Sequence, residues 1–263
     1  MKPLRRRCIA ILLSAVAALS ATLTARAVEF KNETLSYRVT YKWGLIQKVA
    51  GSASLTLTKQ PSAGRFKAVL VARSLPWADR IFSVRDTLSG YMDAKTMHPL
   101  LYDKSTHEGG VYRHDVIHYT YSGQKITGKC QRHKLDKKNN LTVTDTVMTA
   151  TSPAVDMLSV YYLVRNLPFD SMKPGDVSRS TLFSGKKLEN LSLKYDGTAT
   201  IKLNDTTYDC YKISFSFTSE RMKESSAPMT AWIWRDETRI PIKLVGELPV
   251  GQVQVLWNGN KKK

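Results

Sequence analysis

Near the start of the chain, Leu35, Tyr37, Val39, Tyr41 and Trp43 alternate with Ser36, Arg38, Thr40 and Lys42. A period of two gives one apolar and one polar face, the pattern of a strand with one side buried. The next segment places Val49, Gly51, Ala53, Leu55 and Leu57 on one face. Its small residues would let a neighbouring chain or a ligand come close. Similar patterns predict strands at 66–72, 80–91, 97–104, 110–121, 125–132 and 141–148. They return at 177–183, 188–195, 198–203, 208–218, 229–235, 240–247 and 252–257. Clusters of Gly, Pro, Asn, Asp and Ser separate them. So many short strands at close spacing predict antiparallel pairing.

One stretch breaks this pattern. Over 152–167 the apolar residues Ala154, Val155, Met157, Leu158, Val160, Tyr161, Tyr162, Leu163 and Val164 cover almost a full helical circumference. A helix apolar nearly all round is a buried one. Ser152 suits its N-cap and Pro153 its first turn. Asp156 and Arg165 suit the two ends of the dipole, and Pro168 ends it. The expected fold is therefore mainly β: one large, curved antiparallel sheet, half-barrel or barrel-like, with one buried central helix. The chain divides into β-rich halves, 28–150 and 169–257, joined by helix 152–167.

The first 27 residues fall outside this scheme. Lys2, Arg5, Arg6 and Arg7 precede an apolar run from Cys8 to Leu23, and Ala25-Arg26-Ala27 ends it. This is the layout of a cleavable signal peptide, with cleavage after Ala27 and an exported or periplasmic product. No other apolar stretch is long enough for a transmembrane helix. An outer-membrane barrel would alternate in the same way. The buried helix, the shortness of the strands and a tail of lysines in place of a terminal aromatic favour a soluble curved sheet.

Charge narrows the partners. The 263-residue chain carries +18, and loss of the leader removes five basic residues and no acidic ones, leaving +13. That favours anionic or lipid-like components of the cell envelope, or an envelope protein partner. An exported protein without a basic helix or recognition motif is not expected to bind nucleic acid. Cys130 and Cys210 remain after the leader. Export to an oxidising compartment would let them pair, and two separately buried thiols fit the sequence equally well.

Catalytic patterns are missing. There is no G-x-S-x-G, P-loop or H-E-x-x-H, and nothing calls for a cofactor. His107, His114, His118 and His133 lie near one another in sequence, but no carboxylate joins them at a metal-ligand spacing, so no metal site is expected. Asp86, Asp93, Asp156 and Asp236 are the available acids for glycoside or lipid hydrolysis. Asp156 and Arg165 are more simply helix-end charges, and Asp236 with Arg239 reads as an ion pair within a turn. The residues suited to a ligand groove are aromatic: Tyr37, Tyr41, Trp43, Tyr161, Tyr162 and Trp234. In a curved sheet that is not completely filled, they would line a channel for acyl chains.

Several short motifs appear in a characteristic order. Glu33, Leu35 and Tyr37 form Glu-x-Leu-x-Tyr, and Gly51-Ser52-Ala53 follows. Ile81, Phe82, Val84 and Asp86 come next, then Asp93, Thr96 and Pro99. Asp156, Leu158, Ser159, Tyr161, Tyr162 and Arg165 mark the helix. Cys210 and Lys212, then Trp234, Asp236, Arg239 and Pro241, and finally Gly251, close the series. This order resembles the bacterial envelope family known as domain of unknown function 3108. The resemblance implies a fold and an address, and carries no activity with it. The functional expectation is an exported, non-enzymatic envelope protein that binds a lipid-like or anionic component. A structural or assembly factor acting through protein contacts is the alternative, and a hydrolase of envelope glycan or lipid a third.

Overall fold

In the computed structural model, which describes residues 27–218 and 229–259, the alternating segments form fifteen strands of a single sheet. The segment up to residue 26, most of the expected signal peptide, and the lysine tail lie outside the described residues. The first eight strands make an antiparallel meander: β1 (Glu33–Trp43), β2 (Ile46–Gln60), β3 (Arg65–Ser74), β4 (Val84–Asp93), β5 (Pro99–Glu108), β6 (Val111–Ser122), β7 (Lys125–Leu135) and β8 (Leu141–Thr151). A one-turn helix, α1 (Pro76–Asp79), joins β3 to β4. Then come the short β9 (Ala154–Asp156) and the helix α2 (Ser159–Arg165). The remaining strands are β10 (Val177–Phe183), β11 (Leu188–Leu203), β12 (Thr206–Thr218), β13 (Met229–Trp234), β14 (Pro241–Glu247) and β15 (Gln252–Trp257).

β15 pairs antiparallel with β1, placing Tyr37 opposite Trp257, so the first strand lies in the middle of the sheet order. β8 and β9 are the two outer strands of that order. They are also consecutive in sequence, separated only by Ser152 and Pro153. A chain that leaves one edge and enters the other within two residues forces the sheet to curl until its edges approach. The result is a mostly antiparallel sheet nearly closed into a barrel; among the described residues the only parallel pair is β9 with β10.

The central helix is shorter than the sequence predicts. Instead of running over 152–167, it covers Ser159–Arg165, and Ala154–Asp156 belongs to the sheet. Val155 is β-branched and buried, and pairing with Leu182 satisfies its backbone in extended form. The helix is capped not by Ser152 but by Asp156. Its Oδ1 accepts the N–H groups of Leu158 (2.9 Å) and Ser159 (2.7 Å), and Ser159 Oγ accepts the N–H of Asp156 (2.9 Å). This is the reciprocal exchange of a capping box. Two strand predictions also change. The segments 188–195 and 198–203 are one strand, β11, with an irregularity between Tyr195 and Gly197. Residues 80–83 are not strand, because the N–H groups of Ile81 and Phe82 bond back to Ala78 as the end of α1.

The helix is apolar all round because each side meets a different part of the interior. Leu158 and Tyr162 join the core under β2–β8, with Phe66, Met92, Tyr102, Ile117 and Tyr119. Val164 and Leu167 join a second core under β10–β13. Tyr161 packs against the first and a third, built on β1, β12, β14 and β15. Among the described residues no helix is long and apolar enough to cross a membrane.

Candidate functional site

The interior is not filled evenly. Under β3–β8 the inward positions carry large side chains, and Phe183 fits there because Gly128 has none: a Cβ at Gly128 would lie 2.7 Å from the Phe183 ring. Around the β1–β2 junction the inward positions are small. Gly51 lets the β3 backbone approach closely, and a Cβ there would meet the Arg73 carbonyl at 2.6 Å. Ala53, Ala72 and Ala231 leave space between α2 and the sheet.

That space is a cavity of ≈ 410 Å³. One wall is α2, through Val160, Tyr161 and Val164; the other is the inner face of the strands, including Tyr37, Leu55, Leu193, Phe215 and Leu244. Every lining residue is apolar or aromatic. The two phenols among them satisfy each other, with Tyr37 Oη and Tyr161 Oη 2.8 Å apart. Burial pushes both phenol pKa values well up, so both stay neutral.

Beyond Tyr161 along α2 lies a buried polar knot. The Arg165 guanidinium, 2% exposed, forms a two-pronged pair with the Glu33 carboxylate, its Nη2–Oε2 arm 3.2 Å long. It also donates to the Thr238 carbonyl from Nε (3.0 Å) and Nη2 (2.8 Å). Arg239 donates to the Leu167 carbonyl (2.7 Å) and to Asp170 (3.2 Å). The motifs of β1, the helix and the β13–β14 turn therefore meet at the end of α2.

The aromatic residues singled out from the sequence separate in space. Tyr37 and Tyr161 line the cavity. Tyr162 does not; it is fully buried in the first core, edge-on to Phe30 at 5.3 Å. Tyr41 donates its hydroxyl to the Val250 carbonyl at 2.9 Å, and Trp43 is exposed at the end of β1. Trp234 packs against Tyr208 and Trp257 in the third core. Side chains two apart on a strand share a face, but only the middle of β1 faces the cavity.

Arg165 is more than a helix-end charge, since it ties three elements together. Asp236 and Arg239 are not an ion pair. Asp236 Oδ1 accepts from the Thr238 and Arg239 backbone N–H groups (3.1 and 2.9 Å), shaping a turn in which Arg239 has φ +46° and its side chain points inward. Burial raises the Asp236 pKa, and these bonds oppose the shift. Asp156, wholly buried, is pushed up to about 6 by burial, against the same kind of opposition from Ser159 and Leu158.

Cys130 and Cys210 are both free, buried in the first and third cores respectively. Burial pushes their thiols up to about 11 and about 12, away from reactive thiolate. The candidate acids share no site. Asp93 holds its own turn through the N–H groups of Lys95 and Thr96. Asp86 accepts from the His107 backbone, and none of the four acids lines the cavity. Half-burial pushes Asp86 up to about 6, with Glu108 adding to the shift. Among the described residues no group of three His, Cys, Asp or Glu side chains could hold a metal ion. His114 and His133 face each other across β6 and β7, and His114 contacts Asp103 at 3.0 Å.

One buried pair escapes the sequence reading. Asp115, fully buried, binds Arg132 through both oxygens. The signal was present: Asp115 has the same parity along β6 as buried Ile117 and Tyr119.

No curated protein matches the chain. Among solved structures, a β-barrel-like protein of the domain of unknown function DUF1849, from Brucella abortus, superposes with a TM-score of 0.57 at 8% identity, over 88% of this chain and 97% of that one. A Bacteroides fragilis protein with a YmcC-like fold matches over 88% of this chain and 98% of its own, at 9% identity and a TM-score of 0.36. The first likeness is one of fold alone. The family model "Protein of unknown function (DUF3108)" matches residues 36–256, from β1 to β15, and the chain belongs to that family.

Proposed function

We propose that this is an exported, non-enzymatic protein of the cell envelope that holds an acyl chain or a similar apolar group between α2 and the sheet. The observation that carries this reading is the cavity. Its volume of ≈ 410 Å³ lies within the range of small-molecule sites. Water needs two to four polar partners in a buried site, and this lining offers none beyond two phenols already bonded to each other. An apolar occupant loses nothing by entering. The leader-like N-terminus supports the address, and the basic surface suits an amphiphile with an anionic head.

Native mass spectrometry of the purified mature chain, with solvent extraction, tests the reading. The expected result is a copurifying lipid or fatty acid that is lost in Ala53→Phe, where a ring enters the cavity. Bare protein in both forms, and no uptake of added fatty acid, would overturn it.

The assembly-factor reading has one observation in its favour. Among the described residues β8 is an eleven-residue outer strand paired on one side only, with Leu141, Val143 and Val147 exposed. Such an edge can accept a strand from a partner. Crosslinking in cells from Val143 would give a discrete adduct if it does.

A further inference from the structure

Three neighbouring connections at one end of the sheet carry apolar side chains that stay exposed among the described residues. They are the turns between β1 and β2, between β3 and β4, and between β14 and β15. Register brings them together: Lys42 lies opposite both Gln47 and Gln252, and the Leu75 N–H bonds to the Ala50 carbonyl. Leu45, Ile46, Ile81, Phe82, Leu248 and Val250 are all exposed on these turns, Leu45 completely and Ile81 by 79%. Scattered single hydrophobes on a surface need no explanation, but six on three adjacent turns form a patch of the kind that marks an interaction site.

The surrounding charge is mostly positive. Lys42, Lys48, Arg73 and Arg80 are exposed on the same strands and turns, and none has a carboxylate within ion-pair distance among the described residues. Against them stand Asp79, already paired with Arg85 at 2.7 Å, Glu108, paired with Arg113 at 3.6 Å beside the turn that carries Phe82, and Glu247.

The cavity lining reaches this same end. Met157 is part of its lining, is 38% exposed, and follows Asp156, which lies beside Phe183 at the end of β10. Phe183 pairs with Leu188 at the start of β11, and that end of β11 leads across the sheet. Leu193 lies opposite Phe215, Phe215 opposite Met229, Met229 opposite Gly246, Gly246 opposite Val253, and Val253 opposite Tyr41.

We propose that this rim docks on an anionic phospholipid bilayer. The six apolar tips enter the boundary between headgroups and acyl chains, and the four cations face the lipid phosphates. Interfacial binding of this kind scales with buried apolar area plus attraction to anionic lipid. The patch supplies the first, and the unpaired cations the second. Docked in this way, that end of the cavity lies against the membrane, where an acyl chain can pass between bilayer and protein without crossing water. The docking itself rests on the rim, independently of what fills the cavity.

Flotation of the mature chain with vesicles of phosphatidylcholine, with or without phosphatidylglycerol, is the test. The expected result is binding to the phosphatidylglycerol vesicles that weakens as salt is raised. Lys48→Glu/Arg80→Glu should weaken it by at least roughly thirty-fold. Leu45→Asp/Ile81→Asp/Phe82→Asp should abolish it with only a small change in the thermal melt, since Leu45 and Ile81 are largely exposed and Phe82 is 54% exposed. Ala53→Phe should still bind vesicles even though its cavity is filled, which separates this proposal from the lipid-carrying one. Equal binding by wild type and the triple variant would overturn the rim, as would no binding at low salt or loss of binding in Ala53→Phe. A concentration-dependent dimer, broken by the triple variant without any vesicle binding, would overturn it in favour of a second copy of the chain.

Discussion

Replacing Arg165 by Met should be among the most damaging single changes in the molecule. The guanidinium is 2% exposed and the Glu33 side chain opposite it 20%. Met retains much of the aliphatic stem, which isolates the charge from the packing. Two losses then remain. Two hydrogen bonds to the Thr238 carbonyl disappear, and the Glu33 carboxylate is left largely buried without its counter-charge. Removing one partner of a buried pair costs about 3–5 kcal/mol. Against a typical domain stability of about 5–15 kcal/mol this is a third or more of the whole. Glu33→Gln should cost less, about 2 kcal/mol, because Arg165 retains both bonds to Thr238 and the amide oxygen can still accept. In the double variant Glu33→Leu/Arg165→Met neither charge is buried. It should therefore be more stable than the sum of its two single changes implies, by about 2 kcal/mol or more. Urea unfolding followed by tryptophan fluorescence gives all of these values, provided that the slopes stay constant. A loss below about 1 kcal/mol for Arg165→Met, or strict additivity in the double variant, would refute the view that this pair locks the helix to β1 and the β13–β14 turn.

Two further changes probe the interior. Asp156 has its pKa raised by burial from 3.8 to about 6, so between those values the native state binds its proton more tightly than the unfolded state does. Its contribution to stability is therefore greatest in acid and falls as pH rises through that window, by about 3 kcal/mol in total. Asp156→Asn can still cap the helix. It should remove this slope, and the difference between wild-type and variant unfolding free energies from acid to neutral pH measures it; parallel curves would contradict the assignment. Gly128→Val places a side chain against the buried Phe183 ring and should cost about 1–3 kcal/mol by overpacking, read as a lowered urea midpoint. A midpoint equal to wild type would show that the ring can move aside.

The strands were legible because period-two alternation is imposed by a sheet with one face buried, and β1 carries it plainly from Leu35 to Trp43. Alternation does not say which inward residues meet filled space and which meet a void. By alternation alone Tyr37 and Tyr161 look no different from Tyr162 and Trp234, although only the first two border the cavity. The start of the helix is ambiguous in the sequence for a different reason. Ala154 and Val155 suit either a buried helix or a buried strand, and the choice was made by a backbone partner, Leu182, lying more than twenty residues ahead. Pro153 then misled, since it fits the first turn of a helix as well as the approach to a strand. Asp236 and Arg239 stand three apart in a turn, which suggests a pair. The positive φ at Arg239 turns its side chain instead toward Leu167 and Asp170, and nothing in the local sequence names those partners.

The cavity follows from strand number and from where the helix enters. A barrel's diameter grows with the number of its strands, and fifteen are far more than side chains alone can fill. Larger barrels leave a lumen, and the chain has two ways of dealing with it. Over β3–β8 it fills the lumen with Phe66, Met92, Tyr102 and Tyr119 and wedges in Phe183. Over β1, β2 and β13 it uses Ala53 and Ala231 and relies on α2 to occupy the centre. A helix of seven residues is about 10 Å long, too short to fill that side from end to end. Arg165, Glu33 and Thr238 anchor its C-terminal end at one end of the sheet. The unfilled volume then runs along α2 from Met157 to Val164, on the side of the small residues. Lengthening the inward side chains there would close the void without touching the anchor. Ala53→Phe and Arg165→Met should thus separate in effect: the first removes the space and spares the fold, and the second weakens the fold that frames it.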